Sequence, residues 1–369
     1  MKIIFTGGGT AGHINPAIAI AKYIKHKQPD AQILFVGTAK GMESTLVPKA
    51  GFEIATVEVS GFSRTALLSN VKIAFKAAAA YQKSKRVIKK FKPDIVIGTG
   101  GYVSGPVVLA AAHKKIPTLI HEQNVFAGVT TKMLCGSADV TAVAFEQSKK
   151  YLTKAKKIVH TGNPIRQELL DITKDEARAK LRVGEAPLVV IFGGSLGAQK
   201  LNEAVVDLLT KGIPSCKVIL STGERYYESC RSAVDGCRNE NVTVVSYIHN
   251  MDEVLAAADL VICRAGAITL SELTALGKPS ILIPSPNVAE NHQEYNARAL
   301  EKAGAAVVIT EEELHRLQGE IIKLLGDRRK LAEMAEKSAE MGIKNGVESI
   351  YNEVMLWYNR GTVVSDRRL

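Results

Sequence analysis

Residues 2–16 read KIIFTGGGTAGHINP and residues 188–198 read LVVIFGGSLGA. Each stretch opens with a short apolar run of strand length and passes through glycines into a segment patterned as a helix. In the first, Asn15-Pro16 supplies an N-cap and first-turn proline for a helix predicted to reach about Lys27. The scheme recurs between them. Ile33–Val36 is a second apolar strand, and Asp94–Ile97 leads into GTGGYVSG and a helix opened by Pro106. Thr118–Ile120 is a further strand that ends in the polar cluster His121-Glu122-Gln123-Asn124. Alternation of this kind predicts an α/β fold with a parallel sheet covered on both faces.

The pattern pauses at Thr161-Gly162-Asn163-Pro164 and resumes after a charged helix at Asp175–Arg182. Leu188–Phe192 is then a strand, Leu201–Leu209 an amphipathic helix, and strands are predicted at Val218–Leu220, Val242–Val245, Leu260–Cys263 and Ile281–Ile283. Two similar doubly wound domains follow, with a boundary near Asn163. Ligands of open parallel sheets gather at the carboxyl ends of the strands, where the glycine loops lie.

The totals agree. A chain of 369 residues is long for a single core, and 46% apolar with 23% charged residues excludes fibrous and disordered classes. No stretch approaches the roughly 20 apolar residues of a spanning helix, and the opening run meets glycine too soon for a signal peptide, so a cytosolic location is expected. Cys135, Cys216, Cys230, Cys237 and Cys263 are scattered without CxxC spacing and read as reduced thiols, neither zinc ligands nor disulfides. The net charge of +11 is divided unevenly: residues 1–163 carry +15 and the remainder −4. Nine cations and no acid fall in residues 59–93, a run that is either solvated or directed at an anionic partner.

Three glycine loops after strands, Gly7–Gly12, Gly98–Gly105 and Gly193–Gly197, together favour an anionic ligand met by backbone amides and helix N-termini. The first formally contains GxGxxG, yet the second strand ends Val36-Gly37-Thr38 with no acid to hold a ribose, which argues against a nicotinamide dinucleotide. No Asp-x-Asp pair and no ligand cluster with metal spacing occurs, so no metal and no cofactor is expected. Arg166, placed in the first turn of a helix after Asn163-Pro164, is a candidate phosphate partner or a surface arginine. His13, between its glycine loop and helix, is a candidate general base or a structural hydrogen-bonder, and Glu122 is its rival for the proton. Glu272 could accept ribose hydroxyls or satisfy its own helix dipole.

With TGGGTAGHINP, GTGGYVSGP, HEQN, GNPIR, FGGSLGA, CRAGAITLSE and NHQEYNA in this order from Thr6 to Ala297, the chain resembles the MurG family of peptidoglycan N-acetylglucosaminyltransferases. The resemblance implies a GT-B fold, two Rossmann-like domains facing a deep cleft. Residues 1–163 would be an acceptor- and membrane-facing domain, residues 164–346 a UDP-GlcNAc-binding domain, and a C-terminal helix at about 347–363 would pack back on the first. It implies inverting, metal-independent transfer of N-acetylglucosamine from UDP-GlcNAc to the 4-hydroxyl of the muramyl sugar of lipid I, giving lipid II for the cell wall.

Carried over by position, the donor-binding residues are Thr10, Ala11, Gly12, Asn124, Arg166, Ser195, Ile248, Ala267, Ile268, Thr269, Leu270, Ser271, Glu272 and Gln293. The backbone at Ile248 would read uracil, Glu272 would hold ribose and Gln293 would contact the sugar. Gly9, Gly100, Gly101 and Tyr102 would meet the acceptor diphosphate. His13 matches the histidine proposed as catalytic in that family.

The basic run then gains a reading of its own. Leu68, Val71, Phe75 and Ala78 recur at helical spacing with Lys72, Lys76 and Lys83 between them, as in a helix lying on an anionic phospholipid surface. The competing reading packs this helix on its own sheet with solvated lysines. A peripheral location on the cytoplasmic face of the membrane follows from the first, with cell-wall synthesis proteins as possible partners. Alternatives are another GT-B UDP-sugar enzyme, a glycolipid transferase or a UDP-GlcNAc 2-epimerase. A nucleic-acid module is disfavoured, because the run lacks interleaved stacking aromatics.

Overall fold

The computed structural model describes residues 1–59, 67–194, 197–212, 216–236 and 240–366, without the side chains of 67–75 and 360–366. The chain forms two compact units, one built from Met1–Ile165 together with the segment from Asn345 onward, the other from Arg166–Lys344.

In the first unit seven strands, β1 (Lys2–Gly7), β2 (Gln32–Gly37), β3 (Glu53–Thr56), β4 (Ile95–Gly100), β5 (Thr118–Glu122), β6 (Val140–Val143) and β7 (Ile158–His160), lie in the order β3-β2-β1-β4-β5-β6-β7. Every pairing is parallel. Strand residues alternate between faces, so β1 divides its side chains. Ile3 and Phe5 join α1 (Ala11–Lys27) through Ile14, Ile20 and Ile24, while Ile4 faces the side covered by Val107, Val108 and Ala111 of α4 (Ser104–His113). The helix Gly346–Asp366 belongs to this unit, with Ile350 and Val354 fully buried one turn apart against the Ile3 and Phe5 face.

The first helix starts at Ala11, five residues ahead of Pro16, which therefore stands inside it. The expected start at Asn15-Pro16 is corrected: Thr10 is extended (φ −140°, ψ 154°), and proline in the second turn forfeits only the bond to the Gly12 carbonyl. Of the basic helix α3 (Leu67–Phe91), the described half buries Ala80, Ser84 and Ile88 in its own unit and exposes Lys76, Lys83, Arg86, Lys89 and Lys90. The side chains of Leu68, Val71, Lys72 and Phe75 lie outside the described residues.

The second unit repeats the plan with β8 (Leu188–Phe192), β9 (Lys217–Ser221), β10 (Val242–Val245), β11 (Leu260–Cys263), β12 (Ser280–Leu282) and β13 (Ala306–Val308), all parallel, in the order β10-β9-β8-β11-β12-β13. One device secures neighbouring strands in both units. An aspartate just before a strand accepts the first amide of the adjacent one: Asp94 from Lys2 (2.7 Å), Asp139 from Thr118 (3.0 Å) and Asp259 from Leu188 (2.8 Å). Each aspartate returns its own N–H to the carbonyl of that same residue, which fixes the register. Strand order reverses between β1 and β4 and between β8 and β11, the positions at which open parallel sheets gather ligands. The described cysteines, Cys135, Cys216, Cys230 and Cys263, are buried thiols outside any disulfide; Cys237 lies outside the described residues.

Candidate active site

At the first switch point the pairing of β1 with β4 shifts after Thr6, so that Gly7 lies opposite Gly100 and the Gly8 amide donates to the Gly100 carbonyl (3.3 Å). Gly9, at φ +85°, turns its amide inward to Glu43 (3.1 Å), the first residue of α2 (Glu43–Lys49). Glu43 is 1% exposed and also accepts from the Thr38 amide (2.9 Å) and hydroxyl (2.6 Å). Burial works against its charge, but the bonds from Thr38 and Gly9 outweigh that and hold the carboxyl below its ordinary range. Its carboxylate fills the space where any Cβ on Gly8 would come within 2.6 Å. Because the Gly9 amide is committed, the part of the loop left to meet an anion is Thr10, Ala11 and Gly12, at the N-terminus of α1, where the helix leaves its first amides without internal partners.

His13 follows these amides. Its carbonyl accepts from Thr99 Oγ1 (2.7 Å), and its Nδ1 lies 3.1 Å from Gln123 Oε1. The imidazole rests on Gly100, where a Cβ would come 2.7 Å from Nδ1. Gly101 adjoins it, and Tyr102, 54% exposed, stands at the rim. Glu122 is differently employed. Both its oxygens accept loop amides, Oε1 from Asn124 (3.0 Å) and Oε2 from Gly128 (2.9 Å), so the carboxylate braces the 124–128 loop. The Asn124 carbonyl is in turn held by Ser148 Oγ at 2.8 Å.

At the second switch point a cavity of about 600 Å³ is lined by Gly193, Gly194 and Gly197 of the loop after β8, by Gly266 and Thr269, and by Gln293, Lys200, Arg264 and Glu311. Ser195 lies outside the described residues. The helix Ala267–Ala275 begins at Gly266, which lines the cavity, so its N-terminus stands at the cavity wall. Thr269 lines the cavity, whereas Leu270 is core and the Ser271 hydroxyl is returned to the Ala267 carbonyl (3.0 Å). Ile268, between them, is half-buried, and Ile248 is buried after β10 next to the half-exposed Tyr247. Gln293 Oε1 accepts the Ser285 amide (2.9 Å), which aligns the side chain and leaves its NH₂ as the free-facing end.

Arg166 does not open a helix. It precedes a three-residue 3-10 turn, Gln167–Leu169, with an extended backbone of its own (φ −71°, ψ 130°), so the dipole argument for it lapses. Its Nε instead lies 3.2 Å from Glu272 Oε1. Burial pushes the Glu272 carboxyl up, and the Arg166 guanidinium works against that shift.

Three cavity groups, Arg264, Glu311 and Lys200, escaped the sequence reading. Arg264, within the CRAGA stretch, spans from the Ile283 carbonyl (3.2 Å) to Glu311, and Glu311 also pairs with Lys200 (3.2 Å). The Glu311 carboxyl is burdened by burial yet stays low, because both cations bond to it. No group of three or more His, Cys, Asp or Glu side chains that could hold a metal occurs among the described residues.

Comparison with known proteins resolves the family. Residues 3–143 match the glycosyltransferase family 28 N-terminal domain and residues 188–350 its C-terminal domain. The chain is 54% identical over 318 residues, 85% of its length and 87% of the relative's, to the UDP-N-acetylglucosamine--N-acetylmuramyl-(pentapeptide) pyrophosphoryl-undecaprenol N-acetylglucosamine transferase of Caldanaerobacter subterraneus subsp. tengcongensis. The chain belongs to the MurG family. The same-named protein of Acetivibrio thermocellus is 50% identical, over 85% of this chain and 86% of that one. The crystal structure of Acinetobacter baumannii MurG superposes with a TM-score of 0.80 at 28% identity, covering 96% of this chain and 99% of that one. The GT-B fold expected from the MurG resemblance is thus the fold observed. A UDP-GlcNAc 2-epimerase from Neisseria meningitidis, at 16% identity and a TM-score of 0.66, shares the fold alone.

Proposed function

We propose that this MurG-family enzyme transfers N-acetylglucosamine from UDP-GlcNAc to the 4-hydroxyl of the muramyl sugar of lipid I, with inversion, forming lipid II. The observation that carries the reading is the 54% identity to a transferase named for this reaction over 85% of the chain. The two switch points support a division of labour. In the second unit the loop amides, the N-terminus of Ala267–Ala275 and the cations Arg264 and Lys200 suit a nucleoside diphosphate, with Glu272 beside Arg166 as ribose acceptor and Gln293 aligned toward a sugar. In the first unit Thr10, Ala11 and Gly12 lead into His13, and Gly100 lies against its ring.

In the step proposed, the acceptor 4-hydroxyl oxygen forms a bond to the anomeric carbon from the face opposite UDP, the bond from that carbon to the β-phosphate oxygen breaks, and UDP leaves. The hydroxyl proton passes to His13. Charge gathering on the diphosphate is met by fixed amides and guanidinium groups, an electrostatic stabilisation that asks for no divalent ion. Glu122, with both oxygens occupied by amides, is assigned to positioning the loop.

The lipid-linked acceptor places the enzyme at a membrane. No helix among the described residues is long and apolar enough to cross one. We assign attachment to the exposed basic face of α3, meeting anionic phospholipid on the cytoplasmic side, where other wall-building proteins would meet it.

The deciding experiment is transfer of labelled UDP-GlcNAc to a lipid I analogue, with and without EDTA. Product that depends on acceptor and survives chelation is expected. Turnover of UDP-GlcNAc without acceptor would point to epimerase chemistry, and loss with EDTA would remove the metal-free step.

A further inference from the structure

His13 could serve as a base through either ring nitrogen, and which one is bare depends on the hydrogen carried by the other. The surroundings decide this through groups whose hydrogen-bonding direction admits no choice. His121 is fully buried, and its Nε2 lies 3.0 Å from the Gly162 carbonyl oxygen. A carbonyl only accepts, so Nε2 carries the hydrogen. Burial disfavours a charged ring and pushes the His121 imidazole below its ordinary value. The ring is therefore neutral, and its Nδ1 is an acceptor.

That acceptor faces Gln123. The nitrogen of the Gln123 amide lies 2.9 Å from His121 Nδ1, 2.9 Å from the Thr99 carbonyl oxygen and 3.1 Å from the His121 carbonyl oxygen. All three are acceptors. Turning the amide over would set its oxygen against two carbonyl oxygens and a ring lone pair, so this orientation is fixed. Its Oε1 then points at His13 Nδ1, 3.1 Å away, and an amide oxygen can only accept.

We infer that the chain Gly162 carbonyl, His121, Gln123 holds His13 as the Nδ1–H tautomer, presenting a bare Nε2 to the acceptor hydroxyl. Gln123 and His121 are positioning residues, acting through His13. The contact of the ring with Gly100 and the Thr99 bond to the His13 carbonyl keep the imidazole where the relay can reach it. The inference rests on the reading of His13 as the base, but its first test does not.

That test is nitrogen NMR on the ligand-free enzyme labelled at histidine, with the His13 resonances assigned by their loss in His13→Asn. A neutral His13 with hydrogen on Nδ1 and a bare Nε2 is expected; hydrogen on Nε2 overturns the inference, whatever the activity of any variant. Turnover supplies the second test. Gln123→Met, close in shape and with only a weakly accepting thioether, should mix the tautomers and lower kcat by about 10- to 100-fold, with KM for UDP-GlcNAc unchanged within about threefold. A Gln123→Met enzyme with the wild-type tautomer and rate would also overturn the relay. If His13→Ala retained full kcat while the spectrum showed Nδ1–H, the base assignment would fail and the relay would stand.

Discussion

The Glu43 carboxylate accepts the Gly9 amide at 3.1 Å across 34 positions of sequence. This bond ties the start of α2 to the loop that precedes His13, so the geometry around His13 depends on a residue outside the glycine motif. Glu43→Ala should lower kcat/KM at least tenfold and the melting temperature by several degrees, a loss of about 1–3 kcal/mol for amides left without their buried acceptor. The carboxyl is depressed in the folded state, so its stabilising contribution is present above its ordinary value of 4.5 and is lost as pH falls through the lower folded value. Melting curves of wild type and Glu43→Gln should accordingly converge in acid and separate toward neutrality.

His13→Ala should lower kcat by about 10²–10⁴, the usual contribution of a positioned general base. The donor site proposed lies in the second unit, and its cavity is untouched by this change, so the dissociation constant of UDP should be unchanged. A fall of less than about threefold in kcat, worth under roughly 0.7 kcal/mol, would remove the base role.

Glu272 and Arg166 set stability against binding. A carboxyl raised by burial binds its proton more tightly folded than unfolded, so the folded state loses stability as pH rises from 4.5 through the raised value. At neutral pH Glu272→Gln removes that penalty, and the ligand-free variant should melt at or above the wild-type temperature. With Glu272 as the proposed acceptor of ribose hydroxyls, the same change should lower UDP affinity by about 10- to 100-fold, the worth of charged hydrogen bonds of about 1.5–3 kcal/mol. Calorimetry and titration on one preparation would measure both. A variant that is less stable and binds UDP normally would reverse the assignment.

The parts of this design differ in how plainly the sequence displays them. Strands 188–192 and 260–263 fall where their apolar runs put them, because each is buried on both faces and bounded by turn residues, and 242–245 is found as a half-buried edge strand. Glu53–Thr56 and Ala306–Val308 pass unnoticed, being too short for a period to be read, and Val140–Val143 alternates with a buried threonine. His13 is visible because a glycine loop introduces it. Gln123, Glu43 and Glu311 gain their roles only through partners 110, 34 and 47 positions away, which spacing along the chain cannot reveal. Arg166 was found by its neighbours Asn163-Pro164 for a reason the fold does not supply, since its contact is an ion pair with Glu272.

Asp259 offers a test of the shared strand device. It accepts from the Leu188 amide (2.8 Å), Arg178 (2.9 Å) and Lys174 (2.6 Å), joining β8 to the helix Lys174–Leu181. Burial alone would raise its carboxyl, but these partners bring it below the ordinary value of 3.8. Asp259→Asn should therefore destabilise the protein by about 1–3 kcal/mol at neutral pH and by progressively less as acid protonates the wild-type group. Denaturant unfolding at pH 7 and near pH 3 would display the difference.

The described half of α3 carries its argument in one face. Ala80, Ser84 and Ile88 recur every fourth residue and are buried, which leaves Lys83, Lys89 and Lys90 exposed on the rest of the helix. Packing on the unit's own sheet and docking on a membrane thus use opposite sides, and the two readings of the basic run are compatible for these residues. If the exposed side meets anionic lipid, each lysine contributes about 1 kcal/mol near the surface, and that term falls with ionic strength. The triple change Lys83→Gln, Lys89→Gln, Lys90→Gln should weaken binding to phosphatidylserine-containing vesicles by about a hundredfold at low salt, while turnover of a water-soluble lipid I analogue stays at the wild-type rate. Undiminished sedimentation with such vesicles, or equal binding to neutral ones, would show that attachment does not run through these charges.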